Sequence, residues 1–244
     1  MRLFRHHLAC LLLLAAPLVW PQPASSQRSQ DSTDPYHARR LAMVSLIRRH
    51  GVEDEHTLRA MEAVPRHQFV PAEFRDRAYD DHPLPIGHGQ TISQPYIVAY
   101  MTEMLEPAPG MKVLEVGTGS GYQAAVLAEI GCDVYTVEIF EALAASAGAR
   151  LRSLGYDSVS SRHGDGHFGW PEAAPFDVII VTAAAGHIPP RLIEQLKPGG
   201  RMMIPVGSVY GVQNLIFVNK DPNGKVTTRS LLPVRFVPML SGLR

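Results

Sequence analysis

Apolar positions along this chain change their period repeatedly. They pass from the three-to-four spacing of a half-buried helix to the unbroken runs of a strand covered on both faces. Leu41, Val44 and Ile47 recur at helical spacing behind Asp34-Pro35, a cap and first-turn proline, and Gly51 ends the run. A second helix is expected over 54–64, stopped at Pro65, and a short third one over 72–79. A fourth, 95–105, carries Ile97, Val98, Met101 and Leu105 on one face. From there strands are expected over 112–116, 132–138, 159–163, 176–182 and 201–206, with helices over 122–130, 141–154 and 189–196. Two further runs, 213–220 and 225–232, flank Asp221-Pro-Asn-Gly224 and read as a hairpin. Alternating strands and helices give an α/β domain: a mostly parallel sheet with helices on both faces and an antiparallel C-terminal hairpin. Residues 35–244 read as one domain, with 35–105 as a helical cap.

The chemistry concentrates where the first strand ends. Lys112-Val-Leu-Glu-Val-Gly-Thr-Gly-Ser-Gly-Tyr122 runs from strand through a glycine turn into a helix whose free N–H groups point back at the turn. Gly117, Gly119 and Gly121 let the backbone approach a ligand, and Thr118 lies among them. Glu138 ends the next strand, placed to accept from both hydroxyls of a ribose. Such a unit is Rossmann-like. The spacing is G-x-G-x-G rather than the G-x-G-x-x-G that holds a pyrophosphate, no basic residue lies in the turn, and Glu115 precedes it by two positions. A cradle with an acid at its mouth suits a ribose bearing a cationic amino-acid tail. S-adenosylmethionine fits that description better than NAD.

Composition narrows the classes. The 23 basic and 23 acidic residues balance and form no long single-sign run, so neither a nucleic-acid surface nor stable membrane insertion is expected. Two cysteines give no disulfide framework, and the eleven histidines show no metal-ligand spacing. Residues 1–34 differ in kind from the rest. Arg2 and Arg5 precede an apolar run from Leu8 to Trp20, followed by Ala24-Ser25-Ser26 and a polar tract. That is the form of an export signal and linker, although Met43 could serve as an internal start.

Between Asp80 and the helix at Pro95 lies a loop rich in Pro, Gly and His, a composition and length associated with function. With Leu84-Pro-Ile-Gly-His-Gly-Gln-Thr-Ile-Ser-Gln-Pro95, the glycine turn, His163-Gly-Asp-Gly166, Lys197-Pro-Gly-Gly200 and Arg235-Phe-Val-Pro238, the chain resembles the protein-L-isoaspartate O-methyltransferases from about Met43 to Val237. The resemblance implies the S-adenosylmethionine-dependent methyltransferase fold. It also implies methyl transfer from that cofactor to the α-carboxylate of L-isoaspartyl residues in damaged proteins and peptides. A carboxylate is ionised at neutral pH, so such a site needs alignment more than a strong base. By the same resemblance Ser93 is the active-site serine, orienting the carboxylate; its bland role would be to cap the helix at Pro95. Asp165 and Gly166 would lie near the adenine. Gln90 and Thr91 would shape the loop, with His88 a weaker candidate. A monomer satisfies these features.

Two other readings stay in play. One is a methyltransferase for a different carboxylate, and the other an exported binding protein without catalysis. The base-amine methyltransferases are not matched, because Thr182-Ala-Ala-Ala185 lacks the prolines and aromatic those enzymes place after this strand. The N-terminus favours the periplasm, while the cofactor, made in the cytoplasm, favours a cytoplasmic pool, which is the expectation here.

Overall fold

The computed structural model describes residues 34–208 and 211–242; the signal-like segment lies outside them. The described residues open with α1 (His37–Arg49) and α2 (Glu55–Ala63), then two 3-10 turns, Arg66–Phe69 and Ala72–Arg77. The last of these replaces the regular helix expected over 72–79. On α1 the buried face is Met43, Val44 and Ile47, whereas Leu41 is 40% exposed.

The stretch read as a loop before Pro95 is a small antiparallel hairpin, β1 (Leu84–Gly87) and β2 (Gln90–Ile92), pairing Leu84 with Ile92. His88 and Gly89 turn it, both at positive φ (52° and 69°), as a two-residue hairpin of this twist requires. It leads into α3 (Pro95–Leu105).

The remaining strands form one seven-stranded sheet. Its members are β3 (Lys112–Val116), β4 (Asp133–Glu138), β5 (Val159–His163), β6 (Phe176–Val181), β7 (Leu196–Gly207), β8 (Gln213–Lys220) and β9 (Val226–Val234). The order is β5-β4-β3-β6-β7-β8-β9, parallel from β5 to β7 and antiparallel across β7-β8-β9. The connecting helices are α4 (Tyr122–Ile130), α5 (Glu141–Ser153) and α6 (Pro190–Gln195). β7 begins five residues before the expected Arg201, because Leu196 pairs with Phe176 ahead of a register shift at Pro198-Gly199-Gly200. Pairing here overrides the turn signal that those residues carry.

Two-sided burial explains the unbroken apolar runs. In β3 and β6, Val113, Val178 and Ile180 join the core under α1 to α4, while Leu114, Val116, Ile179 and Val181 face the opposite core with Leu192 of α6. The N-terminal helices share the first core directly with α4 and the sheet. Asp177 fastens the start of the central pair, its carboxylate accepting from the Lys112 amide (2.8 Å) and from Lys197 Nζ (2.7 Å).

Candidate active site

β3 leads through α4 to β4 on one side, and the chain later returns to β6 on its other side. This reversal opens a crevice at the C-terminal ends of the strands, where α/β sheets bind ligands. The glycine turn fills it. Gly117 has φ 100°, and a Cβ there would stand 2.5 Å from Thr182 Oγ1, which donates to the Val116 and Gly117 carbonyls. Gly121 is different: at φ 90° it heads α4, and a Cβ would press on Leu151 of α5. It does not line the cavity, so its glycine serves chain reversal and helix packing. Gly119 does line it, under Ile86 of the hairpin.

Two acids meet at this turn. Glu138 is 5% exposed; its Oε2 accepts from the Gly119 amide (2.8 Å) and Oε1 from the Phe140 amide (3.1 Å). It therefore shapes the turn while keeping lone pairs for further donors. Glu115 is fully buried. Its Oε2 accepts from Thr136 Oγ1 (2.6 Å), which also contacts Thr118 Oγ1 (2.6 Å), and its Oε1 has no partner. Burial pushes the Glu115 pKa up to about 8, against the Thr136 hydrogen bond, with Glu138 adding to the rise. Among the described residues no lysine, arginine or histidine lines the cavity. A buried acid with an idle oxygen can receive a cationic group, which would favour its ionised form, and suits phosphate poorly.

A second cavity, of about 410 Å³, adjoins the first. Thr91, Ser93, Thr182 and Val237 line both and form the wall between them. The outer cavity also takes in Ile97, Val212 and Pro233 to Phe236. Ile97 of α3 is half-buried, packing against the core on one side and lining this cavity on the other. Ser93 does not cap α3. Gln94 holds the cap position with no side-chain bond to the helix, and the Tyr96 amide is taken by Asp81 Oδ1 (2.9 Å), whose Oδ2 accepts from Gln94 Nε2 (2.8 Å). The Ser93 hydroxyl makes no hydrogen bond among the described residues, and stands in the dividing wall.

The remaining sequence candidates separate. Gln90 and Thr91 line the inner cavity; His88 stands at the hairpin tip, its ring 5.6 Å from that of Phe140. Gly166 lines the cavity but Asp165 does not. The Asp165 carboxylate accepts from the His167 and Gly242 amides (both 2.9 Å), so it holds the turn that presents Gly166. Those bonds and His167 keep its pKa low despite desolvation. Asp81, Thr136 and Thr182 were missed from sequence, because each acts on a partner distant along the chain.

A mostly parallel sheet with a glycine turn, a terminal acid and an adjoining second cavity defines an α/β methyltransferase-type domain. Residues 38–244 match the family model for protein-L-isoaspartate(D-aspartate) O-methyltransferase. Protein-L-isoaspartate O-methyltransferase 1 of Nitrosospira multiformis is 63% identical over 183 residues, 75% of this chain and 78% of that one. Its namesake from Cupriavidus necator is 50% identical over 238 residues, 94% and 92% of the two chains. Among solved structures, a protein-L-isoaspartate O-methyltransferase is 30% identical with a TM-score of 0.77, covering 83% of this chain and 66% of its own. A putative one from Plasmodium falciparum, in complex with S-adenosyl-L-homocysteine, is 25% identical with a TM-score of 0.72, covering 82% and 98%. The chain belongs to the protein-L-isoaspartate O-methyltransferase family.

The buried acid makes stability depend on pH. The folded-state pKa of Glu115, about 8, lies above the roughly 4.3 of a free glutamate, so the folded protein holds the proton more tightly. That contribution is fully present below the unfolded value and is lost as pH rises through the folded one. The ligand-free protein should therefore lose stability between about pH 5 and 8, and Glu115→Gln should flatten the profile. Denaturant unfolding across this range checks it; parallel profiles for the two proteins would contradict the buried-acid assignment.

Proposed function

We propose that this chain transfers a methyl group from S-adenosylmethionine to the α-carboxylate of L-isoaspartyl residues in proteins and peptides, starting their repair. One observation carries the reading: a serine hydroxyl without a protein partner among the described residues stands in the wall shared by an acid-lined cavity and a second, adjoining cavity. Family membership and the S-adenosyl-L-homocysteine in a relative's structure support it.

The residues present fit the cofactor. The idle Oε1 of Glu115 would meet the cationic amino-acid end, with Thr136 and Thr118 holding that acid in place. Glu138 would accept from the ribose hydroxyls, and Gly117 and Gly119 allow the backbone to lie against the ligand. Ile139, Phe140 and Gly166 line the inner cavity with Glu138 and would flank the base. The cofactor supplies an activated methyl on a sulfonium.

What falls to the protein is alignment. The groove admits an extended peptide, and the Ser93 hydroxyl donates to the carboxylate that enters the wall. With one oxygen held by that bond, the other would be turned toward the inner cavity, where it would take the methyl as the methyl–sulfur bond breaks and the sulfur keeps the electron pair. No general base is required, because the acceptor is already charged. Holding nucleophile and methyl in line is the entropic part of the barrier, the part such a wall can lower. A non-catalytic binding protein would gain nothing from a free hydroxyl at this junction.

An isoaspartyl peptide should accept a labelled methyl as a base-labile ester, while its aspartyl twin should not. Ser93→Ala should lower turnover by about tenfold or more, the scale of one lost positioning hydrogen bond to a charged group. Cofactor affinity should stay near the parent value. Equal labelling of both peptides would remove the substrate assignment.

For location, no helix of the described residues is long and apolar enough to cross a membrane. The proposal of a cytoplasmic pool rests on where the cofactor is made. Mass spectrometry of the native N-terminus in fractionated cells checks it: a mature chain starting near Gln27 in the periplasmic fraction would contradict it.

A further inference from the structure

Behind the serine wall stands a charged group that the mechanism above does not use. Arg66, in the 3-10 turn Arg66–Phe69, has an exposure of 0%. A buried cation is costly unless something compensates for the lost water, and the usual compensation is a carboxylate. No carboxylate among the described residues forms an ion pair with Arg66, although Asp81 contributes from farther off. Its Nε donates to the Ala78 carbonyl (2.7 Å) and its Nη2 to the Ser93 carbonyl (2.7 Å). The guanidinium lies 4.7 Å from the centre of the Tyr122 ring, and Nη1 has no partner. Burial pushes its pKa down, opposed chiefly by Tyr122, yet a guanidinium stays charged at any physiological pH.

Apolar packing would fill this space at lower cost, so the group's placement needs another reason. One planar cation holds three elements that the site must keep together. These are the chain at Ala78, the main chain of Ser93, and Tyr122, which heads α4 and lines the inner cavity. The Ser93 side chain has no hydrogen bond of its own, so its direction is set by its backbone. On the far side of that residue, Asp81 grips Gln94 and the Tyr96 amide. Ser93 is thus clamped between a cation on its carbonyl and an acid on the residues that follow.

We infer that Arg66 is a positioning residue for methyl transfer, fixing the Ser93 main chain so that its hydroxyl holds the dividing wall between the two cavities. The inference rests on the reading of Ser93 as the group that orients the acceptor carboxylate.

Steady-state kinetics with an isoaspartyl peptide test it, on the full chain as wild type, Ser93→Ala, Arg66→Met, the double variant and Arg66→Lys. Circular dichroism follows folding and calorimetry follows S-adenosylmethionine affinity. Arg66→Met should lower kcat by about tenfold, with cofactor affinity within about threefold of wild type. In the Ser93→Ala background the same change should cost less than about threefold, because both changes act through one hydroxyl. Arg66→Lys, which keeps a cationic donor, should recover part of the loss; if the methionine variant does not fold, the lysine variant carries the comparison by the same criteria. Equal losses in both backgrounds, or an unchanged kcat, would overturn the inference while leaving Ser93 in place. A fully active Ser93→Ala would instead overturn the reading of the serine, and the inference with it.

Discussion

Parallel register between β3 and β4 is the constraint on which the site depends. Val116 pairs with Val137, so the next residues, Gly117 and Glu138, come side by side at the same edge, Gly117 starting the turn and Glu138 ending β4 beside His163 of β5. The Gly117 amide still bonds to the Val137 carbonyl (2.8 Å), and one turn later the Gly119 amide reaches the Glu138 carboxylate. On the other flank Val116 pairs with Val181, which delivers Thr182 to the back of the turn. A slip of one residue on either side would send each of these side chains to the opposite face.

The chemistry follows from what is buried at that edge. Polar groups inside a protein are ordinarily satisfied, and the exceptions mark places where a ligand or a function completes the set. Here two exceptions lie close to one another in role: Glu115 Oε1 in the inner cavity and Arg66 Nη1 behind the serine. The first is an unmet acceptor suited to a cation. The second belongs to a group whose other donors hold the wall from behind. Between them stands Ser93, a side chain left free by Asp81, which takes over the capping that a serine before a helix normally performs.

Local signals in the sequence carried most of the fold. The glycine turn, the acid ending β4 and the alternation of strands and helices each act within a few residues, and each appears in the structure near its expected place. What escaped were interactions between distant segments. Asp81 grips residues 13 and 15 positions on, Thr136 serves an acid 21 residues back, and Arg66 reaches 27 residues to Ser93. The hairpin at 84–92 was hidden because its strands are too short to show alternation, and only Gly87-His88-Gly89 hinted at a tight reversal. Asp165 shows the opposite limit. A motif identifies a residue, but not that its carboxylate accepts from two backbone amides while the neighbouring glycine lines the cavity.

The central claim is geometric: one hydroxyl in a shared wall presents the acceptor carboxylate to the cofactor. A crystal structure with S-adenosyl-L-homocysteine and an isoaspartyl peptide tests it most directly. The account predicts the peptide in the outer groove, its free α-carboxylate within hydrogen-bond distance of Ser93 Oγ and pointing at the sulfur, and the amino-acid end of the cofactor product at Glu115. A carboxylate held elsewhere, with Ser93 making no contact to it, would contradict the account.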